Sequence, residues 1–271
     1  MLRGKRIGII GVGNMGEAIV RGLQKKGFSE GIAASDIRPD RRDSIKKTYG
    51  LEVFSDSKQL ASQVDIVIVA VKPQDLRGVL EEISSALDPS KILISIVAGA
   101  SLATISSILG QNLRLIRAMP NIAALVLESA TALSQGGEAS AEDMEVSQEI
   151  FDALGRTVIL PETLMDAVTG MSGSGPAYVC LIIEALADGG VRMGLPRREA
   201  LELATQTVLG TSRLLLEQGI HPGELKDKVA SPGGTTIAGI ASLEARGVRG
   251  AMIEAVISAT QRSKELSKIA G

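Results

Sequence analysis

The stretch Lys5–Gly16, KRIGIIGVGNMG, constrains this chain more than any other. Ile7, Ile9 and Ile10 form a short apolar run that feeds directly into Gly11-Val12-Gly13-Asn14-Met15-Gly16. Ala18, Ile19 and Leu23 then follow at helical spacing. Strand, glycine turn and helix is the context that a dinucleotide fingerprint needs. Gly11 permits the tight turn, Gly13 lets backbone approach a pyrophosphate, and Gly16 lets the helix pack on the strand. The helix N-terminus adds unpaired N–H groups and a partial positive charge for the phosphates. An ordinary strand-to-helix turn has the same outline, so the rest of the chain has to separate the two.

The bulk of the sequence narrows the classes. At 271 residues there is room for one large domain or two smaller ones, each with its own core. The 29 basic residues nearly balance the 31 acidic ones, which argues against a nucleic-acid partner. With no Trp, two Tyr and three Phe, base stacking on aromatic platforms is not expected either. A lone Cys180 excludes an intrachain disulfide framework. Its apolar surroundings, Val179 to Ile183, predict a buried and inert thiol. The opening Met1–Lys5 leads straight into a strand without a signal-peptide pattern, and no apolar run approaches the ~18 residues of a membrane span. A cytoplasmic protein with no membrane partner is the expectation.

Along the first half, strands and helices alternate. Apolar runs at Ile7–Ile10, Ile32–Ser35, Asp65–Val71, Ile92–Ile96 and Leu113–Arg117 read as strands, with a short one at Val53–Phe54. Helical stretches separate them at Arg38–Tyr49, Lys58–Gln63, Leu76–Leu87 and Leu102–Leu109. The near-continuous apolar character of 65–71 and 92–96 is that of parallel strands buried on both faces. A later strand is expected at Ala130–Leu133, a helix at Ala141–Leu154, and a last strand at Thr157–Leu160. The pattern predicts an α/β doubly wound parallel sheet. Beyond Pro161 no strand is expected, and helices are predicted at 177–193, 197–216, 236–246 and 251–269. The chain therefore divides into a dinucleotide-binding domain, 1–163, and an all-α domain, 164–271. Long apolar stretches at Leu181–Leu186 and Leu201–Leu216 predict that the helical half pairs with a second copy.

Ligands of open parallel sheets bind beyond the carboxyl ends of the strands. The tips there are Ala70-Val71-Lys72-Pro73-Gln74, Val97-Ala98-Gly99-Ala100 and Ala118-Met119-Pro120-Asn121. Small residues at the second tip admit a flat ring, Lys72 can neutralise a phosphate or carboxylate, and Asn121 offers an amide to a carboxamide or ribose. Each alone also reads as a plain turn residue; together, beside the glycine turn, they favour a nicotinamide cleft. Asp36 lies 20 residues after Gly16, where an acid bonds the ribose 2′-OH of NAD. Ser35, Arg38, Arg41 and Arg42 surround it, and arginines there suit the 2′-phosphate of NADP. Both NADPH and NADH stay open on this pattern, with NADPH favoured.

The helical half carries two Gly/Ser-rich junctions, Met171–Pro176 and Ala230–Thr236. The first reads as capping with glycines for close helix packing. The second, rich in small and hydroxylic residues, reads as an anion site for a small carboxylate. The only histidine, His221, precedes Pro222 in a helix-linking turn and reads as a cap, not an acid/base catalyst. No His/Cys/Asp cluster has metal-ligand spacing, and the GxSxG-like Gly173-Ser174-Gly175 run lacks the third position of a nucleophile elbow and a histidine partner.

With GVGNMG (11–16), AVKPQ (70–74), AMPN (118–121), MSGSGPAY (171–178), ADGGVRMGLPR (187–197) and HPGELKDKVASPGGTTIAGI (221–240), the chain resembles pyrroline-5-carboxylate reductases over essentially its whole length. The resemblance implies a Rossmann domain followed by a helical domain whose helices interlock two subunits, with dimers assembling into a decamer. In this family the dimers often, not always, assemble further into the decamer, so dimer and decamer both stay open. The resemblance implies NADPH, or NADH, as cofactor and 1-pyrroline-5-carboxylate as substrate, reduced to proline by hydride addition to the C=N bond. Gly11, Gly13, Asn14, Met15 and Gly16 would hold the pyrophosphate, and Ser35, Asp36 and Arg38 would meet the adenosine ribose. Ala70, Val71, Lys72 and Pro73, with Ala98 and Gly99, would line the nicotinamide half. The amides of Ser231, Gly233, Gly234 and Thr235 would bind the substrate carboxylate, and Thr236 would place its hydroxyl at the ring nitrogen. Glu162 matches a position near the substrate. Where many relatives have Asn against the adenosine ribose, this chain has Ser57.

Two rival classes differ in chemistry. A β-hydroxyacid dehydrogenase or imine reductase of this architecture presents a Lys or Asp on the long interdomain helix, but Gly173–Val191 offers only Glu184 and Asp188. A non-catalytic nucleotide sensor would leave the Ser231–Thr236 segment without a purpose.

Overall fold

The computed structural model describes residues 2, 4–28, 30–110 and 112–270, with side chains through 267; Met1 and Arg3 of the opening segment lie outside the described residues. Two compact units emerge, one made of residues up to 174 together with those from 258 on, the other of 175–257.

In the first unit strands and helices alternate as β1 (Ile7–Ile10), α1 (Asn14–Lys25), β2 (Ile32–Ser35), α2 (Pro39–Tyr49), β3 (Glu52–Phe54), α3 (Ser57–Ser62), β4 (Ile66–Val69) and α4 (Leu76–Ile83). β5 (Ile92–Ser95), α5 (Leu102–Leu109), β6 (Arg114–Met119), β7 (Ser129–Gly137), α6 (Ala141–Phe151), β8 (Gly155–Ile159) and the short α7 (Met165–Val168) complete it. The eight strands form one sheet in the order β3-β2-β1-β4-β5-β6-β7-β8. This is a Rossmann-like, mostly parallel sheet. β1, β2, β4 and β5 are buried along their whole length, because helices cover both faces. Ile9, Ile68, Ile94 and Phe151 anchor one face, and Leu60, Leu80, Leu93 and Leu115 the other.

The sheet departs from the expected all-parallel pattern at β6–β7, which pair antiparallel with Arg117 opposite Ser134. The intervening segment, 120–128, is too short for a crossover and folds as a 3₁₀ turn over Ile122–Val126. The expected helix at 76–87 ends at Ile83 and continues as a 3₁₀ turn over Ser84–Ala86.

The second unit is helical. It holds α8 (Gly175–Arg192), α9 (Arg197–Gln218), α10 (Pro222–Val229) and α11 (Thr235–Ala245), and the first part of α12 (Val248–Ala270). α8 and α9 pack through Ala187, Ala200 and Ala204. Gly190 lies where a Cβ would come 3.3 Å from Ala200 Cβ, so small residues set the approach of these helices. Much of the remaining apolar surface is open, with Leu181 at 66 %, Leu203 at 58 % and Leu209 at 56 % exposure. Cys180 shares that exposure, which corrects the expected buried thiol: its apolar helix face is not covered within the chain. No helix among the described residues is long and apolar enough to cross a membrane.

A capping box and an ion pair fix α6 beneath the sheet. Ser140 and Asp143 exchange side-chain-to-backbone hydrogen bonds, and Arg114 of β6 donates to both oxygens of Asp143, 2.9 Å for the Nε bond. Burial raises the Asp143 carboxyl, but the Arg114 and Ser140 hydrogen bonds outweigh it and hold it below the ordinary carboxylate range. A depressed native pKa means stability that is present above the unfolded value near 4 and is lost as pH falls through the native one. Asp143→Asn should cost about 1–3 kcal/mol at neutral pH. Urea denaturation across the acid range should find the variant's stability flatter with pH than the wild type's.

Candidate functional site

The glycine turn owes its shape to what a side chain would hit. Gly11 has φ +89°, and a Cβ there would lie 2.8 Å from the carbonyl oxygen of Ala70. A Cβ on Gly16 would lie 2.1 Å from the carbonyl oxygen of Gly11, so only glycine lets α1 start this close to β1. Gly13 differs: a Cβ there would meet nothing within 4 Å, and the residue faces open space at the head of α1. It is also the N-cap, with no side chain capping the helix. The first N–H groups of α1, from Asn14, Met15 and Gly16, thus have no helical partner.

Charged side chains grip the same turn. Val12 N–H donates to Asp36 Oδ2 at 3.1 Å, and Val12 C=O accepts from Arg41 Nη2 at 2.6 Å. Arg41 also pairs with Glu17 at 2.6 Å, and Tyr49 donates to the other oxygen of Glu17 at 3.1 Å. Asp36, at the tip of β2, accepts from Arg38 N–H at 2.9 Å, from Arg38 Nε at 3.0 Å and from Arg38 Nη2 at 3.1 Å. Burial raises this carboxyl, but the Arg38 and Val12 donors outweigh it and hold it below its ordinary range. With four donors in place, its acceptor capacity is used up. Arg42 binds the carbonyls of Asp36 and Ile37 at 2.9 and 3.0 Å.

From this turn a cleft of about 970 Å³ runs across the strand tips. Gly11, Gly13 and Asn14 line it, as do Ser35, Asp36, Arg38 and Ser57. Ala70, Val71 and Lys72 line it at the tip of β4. The Ser35 and Ser57 hydroxyls are 3.3 Å apart, and Ser57 N–H donates to Glu82 at 3.0 Å. Met15 packs towards the core instead of lining the cleft, and Gly16 is buried beneath it. Pro73 opens a 3₁₀ turn beyond the lining, and Ala98 and Gly99 lie outside it at the tip of β5. The Asn121 amide is already engaged: Nδ2 donates to Ser172 C=O at 3.0 Å and Oδ1 accepts from Ala123 N–H at 3.2 Å. Ile37, Asp75 and the α4 face Gly78, Val79 and Glu82 also line the cleft. Their helical spacing was visible in the sequence, but nothing local marked that face as ligand-lining.

Glu162 follows β8 in a 3₁₀ turn. Its Oε1 accepts from Leu102 N–H at 2.6 Å and from Arg117 Nη1 at 3.1 Å. Arg117 is 5 % exposed, and its Nη2 finds no acceptor among the described residues. A buried donor left so costs about 1–3 kcal/mol.

In the second unit, Gly233 takes φ +66° and Gly234 is the uncapped N-cap of α11. Ser231, Gly233 and Thr235 are exposed and Thr236 half-buried, so unpartnered first-turn N–H groups stand among hydroxyls. His221 caps α10 through Nδ1, which accepts from Gly223 N–H at 3.0 Å. No group of three or more potential metal ligands occurs among the described residues.

Residues 162–266 match a family model described as pyrroline-5-carboxylate reductase dimerisation, and residues 6–99 match one described as NADP oxidoreductase, coenzyme F420-dependent. Over 269 residues the chain is 48 % identical to a pyrroline-5-carboxylate reductase of Methanosarcina acetivorans, covering 98 % of this chain and 100 % of that one. A pyrroline-5-carboxylate reductase structure from Coxiella burnetii matches with a TM-score of 0.94 at 35 % identity, covering 97 % of this chain and 98 % of that one. A Plasmodium falciparum pyrroline carboxylate reductase, solved with NADP bound, matches with a TM-score of 0.84 at 32 % identity, covering 97 % and 98 %.

The open space at Gly13 gives a clean test of the turn. Gly13→Val has room in the fold, so its melting temperature should stay at the wild-type value. Its side chain would occupy the approach to the helix N-terminus, and a fluorescence titration with NADPH should show affinity at least about tenfold weaker.

Proposed function

The chain belongs to the pyrroline-5-carboxylate reductase family, and from that premise we propose how its own residues run the family's reaction. The protein is an oxidoreductase that reduces 1-pyrroline-5-carboxylate to proline with NAD(P)H. The bound cofactor supplies the hydride that adds to the carbon of the C=N bond. One observation carries the assignment of the site: the glycine turn at Gly11–Gly16, with its uncapped N–H groups, opens into the cleft along the strand tips.

In this reading the N–H groups of Asn14, Met15 and Gly16 receive the pyrophosphate, with Gly11 and Gly13 shaping the approach. Ser35, Ser57 and Arg38 meet the adenosine ribose. Asp36 does not serve as a free ribose acceptor, because Val12 and Arg38 occupy its oxygens. It neutralises itself against Arg38 and holds that guanidinium beside the ribose. Arg38 keeps further N–H groups for a 2′-phosphate, so NADPH is the preferred donor. Ala70, Val71, Lys72 and Pro73, with Ala98 and Gly99, frame the nicotinamide half. Asn121 contributes through the backbone it ties down, its amide being taken.

The Ser231, Gly233, Gly234 and Thr235 segment binds the substrate carboxylate through N–H groups at the head of α11. Thr236 hydrogen-bonds the ring nitrogen, and Glu162 stands on the substrate side. A protonated imine is already electrophilic, so the site needs no strong titrating acid. Its work is to hold the reacting atoms about 3–3.5 Å apart and to keep water out. Residues 1–163 carry the cofactor, and residues 164–271 carry the substrate segment and the subunit contact. The chain self-associates through its dimerisation region; we take the contact to be a homodimer built on the exposed leucines of α8 and α9, with a decamer as the higher assembly. We place the protein in the cytoplasm.

Loss of reduced-nicotinamide absorbance with 1-pyrroline-5-carboxylate tests this directly. Turnover should occur with NADPH at a lower KM than with NADH, and no turnover with either would overturn the reading. Arg38→Ala should raise KM for NADPH about tenfold or more, the worth of a lost charge-assisted hydrogen bond, and leave KM for NADH nearly unchanged. Thr236→Val should lower kcat/KM about tenfold, on the scale of one hydrogen bond of ~1.4 kcal/mol. Unchanged kinetics would falsify the role given to that hydroxyl.

A further inference from the structure

One buried cation has no part in the machinery above. Arg117 lies on β6, in register with Ser95 of β5 and Ser134 of β7, both of them buried. It reaches Glu162 Oε1 at 3.1 Å, and that same oxygen accepts Leu102 N–H at 2.6 Å. Leu102 opens α5, and the segment between β5 and α5 contains Ala98 and Gly99. A single carboxylate oxygen thus joins a guanidinium inside the sheet to the helix start that terminates the β5 loop.

Stability does not explain this arrangement. A buried ion pair roughly breaks even against well-packed apolar residues, and here one guanidinium nitrogen is left unpaired. What the pair does supply is position. The N-terminus of α5 carries partial positive charge that attracts the Glu162 carboxylate, and Arg117, bonded to the same oxygen, aims it. Buried Val97 and Ala100 pin the two ends of the loop, but its own hydrogen bonds, Val97 N–H to Ser95 Oγ at 3.3 Å and Ala100 N–H to Val97 C=O at 3.4 Å, are both long, and neither holds Ala98 or Gly99. Gly99 has φ +76°, and a Cβ there would lie 4.0 Å from Ser267 Oγ, so the space beside it is open.

We propose that Arg117, acting through Glu162, is a positioning residue that sets the height of the Ala98–Gly99 backbone against the nicotinamide ring. The proposal rests on the proposed function's reading that the β5 tip, just beyond the lining of the strand-tip cleft, frames the nicotinamide half. Loosening the loop lets the ring settle away from the reacting carbon, which slows hydride transfer more than it weakens cofactor binding.

Arg117→Met in the full-length protein tests this with three readouts. In the cofactor-free protein, amide hydrogen exchange should quicken at residues 97–102 and stay unchanged at 7–25. The Kd for NADPH, from its fluorescence, should stay near the wild-type value. Turnover should fall about tenfold or more, as misplacement of reacting groups costs. The deuterium isotope effect with NADPH labelled at the transferred hydrogen should rise at the same time. Arg117→Lys keeps the charge within reach of Glu162 and should recover most of kcat. Should Arg117→Met fail to fold, Glu162→Gln carries the same readouts, since it keeps an acceptor for Leu102 N–H but removes the charge. Wild-type exchange at 97–102 together with a wild-type isotope effect in a folded variant overturns the proposal, whatever the melting temperature does. Absence of turnover in the wild type would instead overturn the cofactor-site reading, and the exchange measurement would still decide the loop's dependence on Arg117.

Discussion

The peptide group of Val12 is the point on which the cofactor domain depends. Its N–H is held by Asp36 from β2 and its C=O by Arg41 from α2, so the turn after β1 is clamped from both sides. Without that clamp, Gly11 and Gly13 would allow many loop conformations, since glycine imposes none. With it, the uncapped N–H groups of α1 point in one direction before any ligand arrives. This is preorganisation: the entropy of ordering the turn is spent in folding, not in binding. Glu17 and Tyr49 extend the clamp, fixing Arg41 with a carboxylate that its own hydrogen bonds hold below the ordinary range despite partial burial.

The clamp also changes what the acid at the β2 tip means. An acid there commonly reads the ribose 2′-OH of NAD. In this chain the same residue spends its lone pairs on Val12 and Arg38, so charge that would repel a 2′-phosphate is cancelled where it arises. The sequence showed Asp36, Arg38, Arg41 and Arg42 together but not their pairing. Arg41 turns away to Val12 and Glu17, Arg42 to backbone carbonyls, and only Arg38 is set on the cleft wall. Three adjacent arginines read alike in sequence because nothing local encodes which tertiary partner each will meet.

What was legible followed from local rules. Strands buried on both faces read as apolar runs, and Gly11 and Gly16 announced themselves because each sits where a Cβ would collide with backbone. What was not legible is tertiary. The antiparallel turn of β7 follows from the short 120–128 connection, which the strand pattern alone did not weigh. Nothing in the sequence marks that the Asn121 amide joins a 3₁₀ turn to the Ser172 carbonyl. α10, a polar helix capped by His221, carries too little apolar periodicity to show. Cys180 failed for a different reason: an apolar stretch reads as core, but within one chain its helix face has nothing to bury against.

That last failure bears on how the second unit holds together. Its buried residues are the small alanines between α8 and α9, and its leucines point outward. At roughly 25 cal/mol per Å² of apolar surface, alanine contacts alone leave helices of this length marginal. A unit built so gains stability by mass action from whatever covers those leucines. The Ser231–Thr236 segment belongs to that same unit, and the order of its N–H groups depends on α11 being formed. Whatever uncovers the helical unit therefore also loosens the head of α11, while the Val12 clamp in the first unit, made entirely within one chain, is left intact.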